Sequence, residues 1–536
     1  MKIGIEDHNI NKARGWDARA LLFGWVGIVV WGQWRWGLPP AAKLPPPLIE
    51  LVIPQISSGY AATVNNDLHT QNPQDWAALH FANTKLNDPR RQRRAQTIAA
   101  AFARNPGKSI PKLFTRVHDI KATYTFFNVN DTTPSNLQAT HTNLVHNTIT
   151  QPGTYLLIED GSEFNWNDKT PRTGLGPMHH KHQGFVLHTS LAVQWQTPNT
   201  GQHKRAPTRI IGLAHQEYYA RIPKPADEGN QDSQARKKRP RESQLWQRSG
   251  ISIGEAPKQT DVRWIRVADR GADIEFFLRD CQTLGHGFVV RAAQNRSLVN
   301  DHNERLSDKL FETSRAQVSL GEFDLELRSR PNQAARTARL SVSATRVALR
   351  GPHSQEAAVV CSVIRIWEAN PDLGVEALEW ILLSDTQPTS FEMAVEIGLQ
   401  YASRWLVEEY HKCLKTGLGA DSLQLETANR LFAAISVMAV VAVRLLALKE
   451  STRFEPEAAT DASGLSNLEL QVLSLVLERK LCCVRDVALG LGRLGGHMNR
   501  KADGLPGWQS LWAGMQRLQS LVDGVVLAKQ IRTYGE

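Results

Sequence analysis

Residues 401–415, YASRWLVEEYHKCLK, carry a tyrosine, an arginine, a glutamate and a lysine at spacings that a helix can align. At about 100° per residue, with Tyr401 set to zero, Arg404 falls at about 300°, Lys415 at about 320° and Glu408 at about 340°. All four then lie within an arc of about 60°. Such a stripe can present one metal ligand flanked by phosphate-binding donors. A solvated stripe with an i, i+4 pair between Arg404 and Glu408 would carry the same residues, so periodicity does not choose. Glu409 falls at about 80°, off the stripe. Glu408 is therefore the ligand candidate, and Glu409 is expected to meet a neighbouring basic side chain or solvent.

Two aspartates can complete such a site. Asp160 follows the apolar run 154–158, and Asp269 follows the run 264–268. Both runs read as strands, and ligands gather at strand ends in α/β sheets. Carboxylates from two strand ends and a helix suit a hard cation such as Mg²⁺. Taken singly, each aspartate is better explained by a loop or turn, so neither is specific alone. His179, His180 and His182 have no closing ligand elsewhere and read as a loop.

The elements that must deliver these residues are legible in outline. Residues 76–102 read as a helix bearing the basic run Arg90, Arg91, Arg93 and Arg94, and Pro106-Gly107 ends it. A second helical stretch carries Tyr124, Phe126 and Phe127. A basic run on a small helix suits DNA contact and equally suits a solvated face. Strands are expected at 154–158, 185–193, 209–213, 264–268 and 287–292, and antiparallel strands over 316–366, where apolar and polar residues alternate. Residues 223–241 read as a polar loop with a Lys237-Lys238-Arg239 cluster able to meet phosphate. From about 390 helical patterns dominate, opened by a capping box, Thr389-x-x-Glu392, and interrupted by Gly417 and Gly419.

The bulk numbers bound the partners. A chain of 536 residues is expected to hold about three domains. A formal net charge of +10 favours a polyanionic partner. Cys281, Cys361, Cys413, Cys482 and Cys483 fit no zinc spacing and read as reduced thiols of a cytoplasmic protein. The apolar run 20–31 is shorter than the roughly 20 residues that span a bilayer, and Gln33, Arg35 and a proline cluster follow it, so no membrane role is expected. Residues 1–73 combine five tryptophans with no sustained periodicity and are expected to be a poorly ordered extension.

The Tyr-x2-Arg-x3-Glu-x6-Lys spacing resembles the signature of the DDE transposases of bacterial insertion sequences, in the insertion-sequence-four family. The resemblance covers roughly 74–530. In order it rests on Asp75-Trp76, NDPRRQRR (87–94), GKSI (107–110), YTFF (124–127), LLIED (156–160) and GLAHQEYY (212–219). VADRGAD (267–273), GFVVR (287–291), Trp380, the 401–415 stretch with its following TGLGA, VAVRLL (441–446) and RLGG (493–496) continue it. Gly161-Ser162 and Leu406 depart from the pattern and bear on DNA affinity, not on the three carboxylates.

The resemblance implies an α/β fold: an RNase H-like mixed-sheet catalytic core at 151–430, with an inserted antiparallel β region at about 295–378. A helical DNA-binding domain at 74–150 and a helical dimerisation domain at 431–536 flank it. It implies Asp160, Asp269 and Glu408 as ligands of two Mg²⁺ ions, with Mn²⁺ able to substitute. Tyr401, Arg404 and Lys415 become phosphate contacts, Arg291 a further DNA contact, and Trp380 an aromatic that stacks on a flipped base. The implied reaction is cut-and-paste transposition by a homodimer acting on double-stranded DNA in the bacterial nucleoid: nicking, hairpin formation and resolution, then strand transfer into target DNA. The rival readings are an RNase H-like nuclease without strand transfer and an inactive DNA-binding inhibitor derived from a transposase.

Overall fold

The computed structural model describes residues 68–534, apart from 70–71, 167–170, 180–181, 198–207, 224–239, 328–335, 352–356, 372–373 and 501–502. The expectations for 1–67, for His180 and for the Lys237-Lys238-Arg239 cluster fall outside the described residues.

The apolar run Leu156, Leu157 and Ile158 is fully buried, as befits a strand covered on both faces. It belongs to β1 (Gly153–Trp166), at the centre of a mixed sheet. The other strands are β2 (Gly176–Pro177), β3 (Gln183–Trp195), β4 (Thr208–Tyr219), β5 (Val262–Ala268), β6 (Gly287–Arg291), β7 (Ser297–Val299), β8 (Arg305–Lys309), β9 (Gly321–Leu327), β10 (Arg336–Leu349), β11 (Val359–Trp367) and β12 (Glu379–Ser384). Side by side run β4, β3, β1, β5 and β6. β3 is antiparallel to β1 and β4, whereas β5 is parallel to both β1 and β6. This is the arrangement expected of an RNase H-like core in an α/β protein. β12 pairs antiparallel with β6 and carries β11, β10 and β9 in antiparallel series. The β region expected as an insertion thus extends the core sheet.

The single helix expected over 76–102 is two, α1 (Pro73–Phe81) and α2 (Pro89–Arg104). Local capping makes the break: Asp88 accepts from the Arg90 backbone N–H and Pro89 opens the second helix. α2 buries Ala95, Ile98, Ala99 and Phe102, one face of a 3.6-residue repeat. Beyond α3 (Ile110–Leu113) and α4 (Val117–Phe127), α5 (Pro134–Ile149) lies on the sheet. There Gln138 donates to Gln216 Oε1 at 2.9 Å, and His141 Nε2 accepts from Leu213 N at 2.9 Å. Leu68 and His69, before the boundary expected near 73, are already tied in: His69 Nε2 lies 3.0 Å from Ile211 O.

The remaining helices are α6 (Leu245–Ile253), α7 (Glu275–Thr283), α8 (Leu310–Arg315), α9 (Phe391–Ala402), α10 (Trp405–Lys412), α11 (Ala428–Phe454), α12 (Asn467–Val476), α13 (Val484–Leu494) and α14 (Trp508–Tyr534). Among the described residues one helical segment, Ala428–Thr452, is long and apolar enough to cross a membrane, but it is almost wholly buried inside the protein as a core helix. Trp508 and Trp512 of α14 pack within the chain. Trp512 Nε1 donates to Pro106 O at 2.9 Å, and its ring lies so close to Gly107 that a Cβ there would collide. Gly107 also has φ +76°, so glycine is needed twice over. Val526, Leu527 and Ile531, further along α14, remain exposed. The five cysteines are free thiols, with Cys281, Cys361 and Cys413 buried.

Candidate active site

Parallel pairing of β1 with β5 ends at Glu159 opposite Ala268. Asp160 and Asp269 are the next residue on each strand, so the sheet delivers them level and adjacent. Asp269 does stand at a strand end, where its carboxylate accepts from Gly271 N at 2.8 Å and caps a short turn. Asp160 does not. β1 runs on to Trp166 because β3 keeps pairing with it, Asp160 lying opposite Thr189. The aspartate therefore sits mid-strand, at the point where β5 has turned away.

Residues 401–415 form no single helix. α9 stops at Ala402, Ser403 and Arg404 make a turn, α10 follows, and a π-helical turn takes Cys413–Gly417. Ser403 is buried and its hydroxyl donates to Leu399 O at 3.1 Å, which seals the break. The cap of α9 is Ser390, whose side chain accepts from Met393 N, so the box expected at Thr389 lies one residue too early. The phase that matters survives. Arg404 Nη1 donates to Asp160 Oδ2 at 3.2 Å and Nη2 pairs with Glu408 Oε1, joining strand to helix. Asp160 and Glu408 keep side-chain exposures of 20% each, and Arg404 12%.

The far side of α10 is locked into the core. Glu409 pairs with buried Lys449 of α11 and accepts from Trp405 Nε1 at 3.0 Å. It thus meets a basic side chain, as its angle on the helix demands. Tyr410 OH accepts from Gln216 at 2.9 Å. His411 Nε2 lies 3.1 Å from Thr189 Oγ1, on the strand beside Asp160. Burial, with Lys415 adding to it, lowers His411 to about 3 and keeps it neutral. These anchors leave Glu408 on the side of α10 where Arg404 joins it to Asp160.

The electrostatics reflect the crowding. Burial pushes the Asp160 carboxyl up to about 7; Arg404 opposes the rise, and the charges of Asp269 and Glu408 add to it. Burial also works against the Arg404 charge, but Asp160 and Glu408 hold it firmly protonated. Lys415 stands with its Nζ 5.1 Å from the centre of the Phe164 ring, its pKa lowered by burial against the pull of Asp421, Glu163 and Asp160. Among the described residues no three His, Cys, Asp or Glu side chains are closed around one point. Asp160 and Glu408 instead share the Arg404 guanidinium, with Asp269 in electrostatic reach.

The other expected contacts border this cluster unevenly. Trp380, half-buried on β12, meets buried Tyr401 edge to face with ring centres 5.4 Å apart. Tyr401 therefore packs inward as a support instead of standing free on a helix surface. Arg291 closes β6, and its Nη2 donates to Glu379 O at 3.0 Å. Arg91 and Arg94 pair with Asp131 and Asp119 inside the N-terminal helices, while Arg90 and Arg93 are exposed. His179 stands 3.7 Å from Glu163.

Four residues went unread in the sequence: Arg270, which feels the charges of Arg291 and Asp269, and the buried Glu159, His188 and Arg266. A charge inside an apolar strand, as in LLIED and WIRVA, is costly without a partner and was the available signal for two of them.

The fold and the site define an α/β protein whose mixed sheet and one helix bring two carboxylates, Asp160 and Glu408, onto Arg404, with Asp269 in electrostatic reach. Residues 73–132, spanning α1 to α4, match the family model of a transposase DNA-binding domain. That match supports a transposase-related, DNA-binding role for this segment of the chain.

Proposed function

We propose that this chain is a DDE transposase of the insertion-sequence-four family, resembling the transposase of the composite transposon five, and that it performs cut-and-paste transposition. One observation carries the reading: Arg404 links Asp160 to Glu408, with Asp269 in electrostatic reach, in a chain that also bears a transposase DNA-binding match. The donor set is all carboxylate oxygen, which suits Mg²⁺, with Mn²⁺ as a substitute. Crowded carboxylates beside the Arg404 guanidinium gain from further positive charge. Asp160, Asp269 and Glu408 would hold two such ions, which when bound supply the charge that stabilises the attacking and leaving oxygens of a phosphodiester.

The chain's own side chains account for the rest. Arg404 and Lys415 offer donors to phosphates beside the carboxylates, and Arg291 extends that surface. The exposed Arg90 and Arg93 offer charge to the backbone of the transposon end. Trp380, braced by Tyr401, offers a ring to a base unstacked where a strand folds into a hairpin. Nicking, hairpin formation and resolution, and strand transfer follow at one site. A homodimer in the bacterial cytoplasm holds two ends, and the exposed apolar stretch of α14 is its contact. The test uses DNA carrying the paired inverted repeats that flank the gene. With Mg²⁺ or Mn²⁺ the protein should nick, form hairpins and join strands, and Asp160→Asn should do none of these. Cleavage by Asp160→Asn equal to that of the unmodified protein ends the proposal.

A further inference from the structure

Glu159 and Arg266 form an ion pair in which neither side chain has any exposure: 0% for both. Arg266 donates from Nε to Glu159 Oε1 and from Nη2 to Glu159 Oε2, each at 2.8 Å. Its Nη2 also donates to Trp246 O at 2.6 Å, and the guanidinium lies 4.3 Å from the Phe277 ring centre. His188 Nε2, from β3, is 3.3 Å from Glu159 Oε2. α6 and α7 thus seat the pair from outside the sheet, and three adjacent strands meet in it.

Stability does not account for it. Two charges taken from water cost several kcal/mol each, and an apolar pair of similar volume would serve as well or better. Its position suggests a different role. Glu159 stands opposite Ala268 in the last parallel step, and Arg266 lies two residues back on β5. Side chains alternate along a strand, so Glu159 and Arg266 share one face of the sheet. Asp160 and Asp269, each one residue past that last step, share the other. A one-residue slip would exchange the faces, and the two-pronged bond would no longer form.

We infer that Glu159 and Arg266 are positioning residues: their buried two-pronged pair fixes the register of β1 on β5 so that Asp160 and Asp269 emerge level on the opposite face. This rests on the reading of those aspartates as metal-binding carboxylates. His188 ties β3, which holds the continuing part of β1, into the same lock.

The test is the full chain with Glu159→Met and Arg266→Met together, since an apolar pair of similar volume preserves a fold where a single change leaves a buried charge. Binding of the transposon end and the urea midpoint should stay close to those of the unmodified protein. Mn²⁺ affinity, read by electron paramagnetic resonance, and cleavage turnover should each fall by about tenfold to a hundredfold, as when the support behind a metal ligand is lost. Arg266→Lys keeps the charge but lacks the planar fork, and should show the same losses. It decides the matter if the double variant does not fold. Unchanged Mn²⁺ affinity and turnover in the folded variants overturn the inference. Asp160→Asn is run alongside. If it binds Mn²⁺ and cleaves normally, the metal-site reading itself falls. If it is dead while the double Met variant is normal, only the positioning role is lost.

Discussion

Glu408 and Glu409 are adjacent and chemically alike, yet the structure gives them opposite consequences on substitution. Glu409 and Lys449 retain 8% and 4% of their side-chain exposure, so each is the other's main compensation. In Glu409→Gln, Lys449 stays buried and loses this partner while keeping Glu450, 3.7 Å away. Removing one partner of a buried pair costs roughly 3–5 kcal/mol. Because Glu450 remains, and the new amide can still accept from Trp405, the lower end of about 3 kcal/mol is expected. That is about a hundredfold in the folding equilibrium. Glu408 is more exposed and sits among like charges, so Glu408→Gln should shift stability by no more than about 1 kcal/mol. Under the proposed function it removes a metal ligand worth several kcal/mol in the transition state, a loss of about a thousandfold or more in every chemical step. Urea unfolding followed by tryptophan fluorescence, with nicking measured per folded molecule, separates the two effects. The double variant Glu409→Met with Lys449→Met should recover the lost stability. An unchanged urea midpoint in Glu409→Gln refutes the buried-pair argument. An active Glu408→Gln beside a folded but dead Glu409→Gln refutes the orientation of the helix.

Trp380→Ala should slow hairpin formation by about tenfold to a hundredfold more than the first nick, from roughly 1–3 kcal/mol of base stacking, whereas Trp380→Phe should lose less; equal slowing of both steps would assign Trp380 to packing alone. Burial holds His69 at about 4 and His80 at about 3, with His141 lowered as well. Because the unfolded chain binds protons on these groups below about 6.5, their contribution is intact above that pH and declines as the pH falls towards 4. The urea midpoint should therefore drop between pH 6.5 and 4, less steeply in His69→Gln, and an identical slope in that variant would exclude the histidines as its source. Leu527→Glu with Ile531→Lys should weaken self-association, measured by sedimentation, without lowering the urea midpoint; unaltered association would move the dimer contact away from the end of α14.

The sequence by itself determined what rests on short-range order. The apolar run at 156–158 had to be a buried strand, and the alternation over 316–366 had to be antiparallel ladders. The spacing of Arg404 and Glu408 had to place them on one side of a helical turn, whatever happened further along. The phase separating Glu408 from Glu409 was fixed by the same arithmetic.

Partner strands and helices decided the rest. β1 continues through Asp160 because β3 supplies hydrogen-bond partners as far as Trp166, and those partners are remote in sequence. The helix over 401–415 breaks at Ser403, where Tyr401 packs on Trp380 while Arg404 reaches back to Asp160 across 244 positions of chain. Trp508 and Trp512, within the segment expected to dimerise, are taken up inside the chain against glycines at 417 and 107. Glu159 and Arg266 acquire a meaning only when parallel pairing sets them diagonally on one face. Periodicity records which residues share a side of one element; it carries no information about which element will lie against that side, and the meeting of Asp160 and Glu408 at Arg404 depends on that choice.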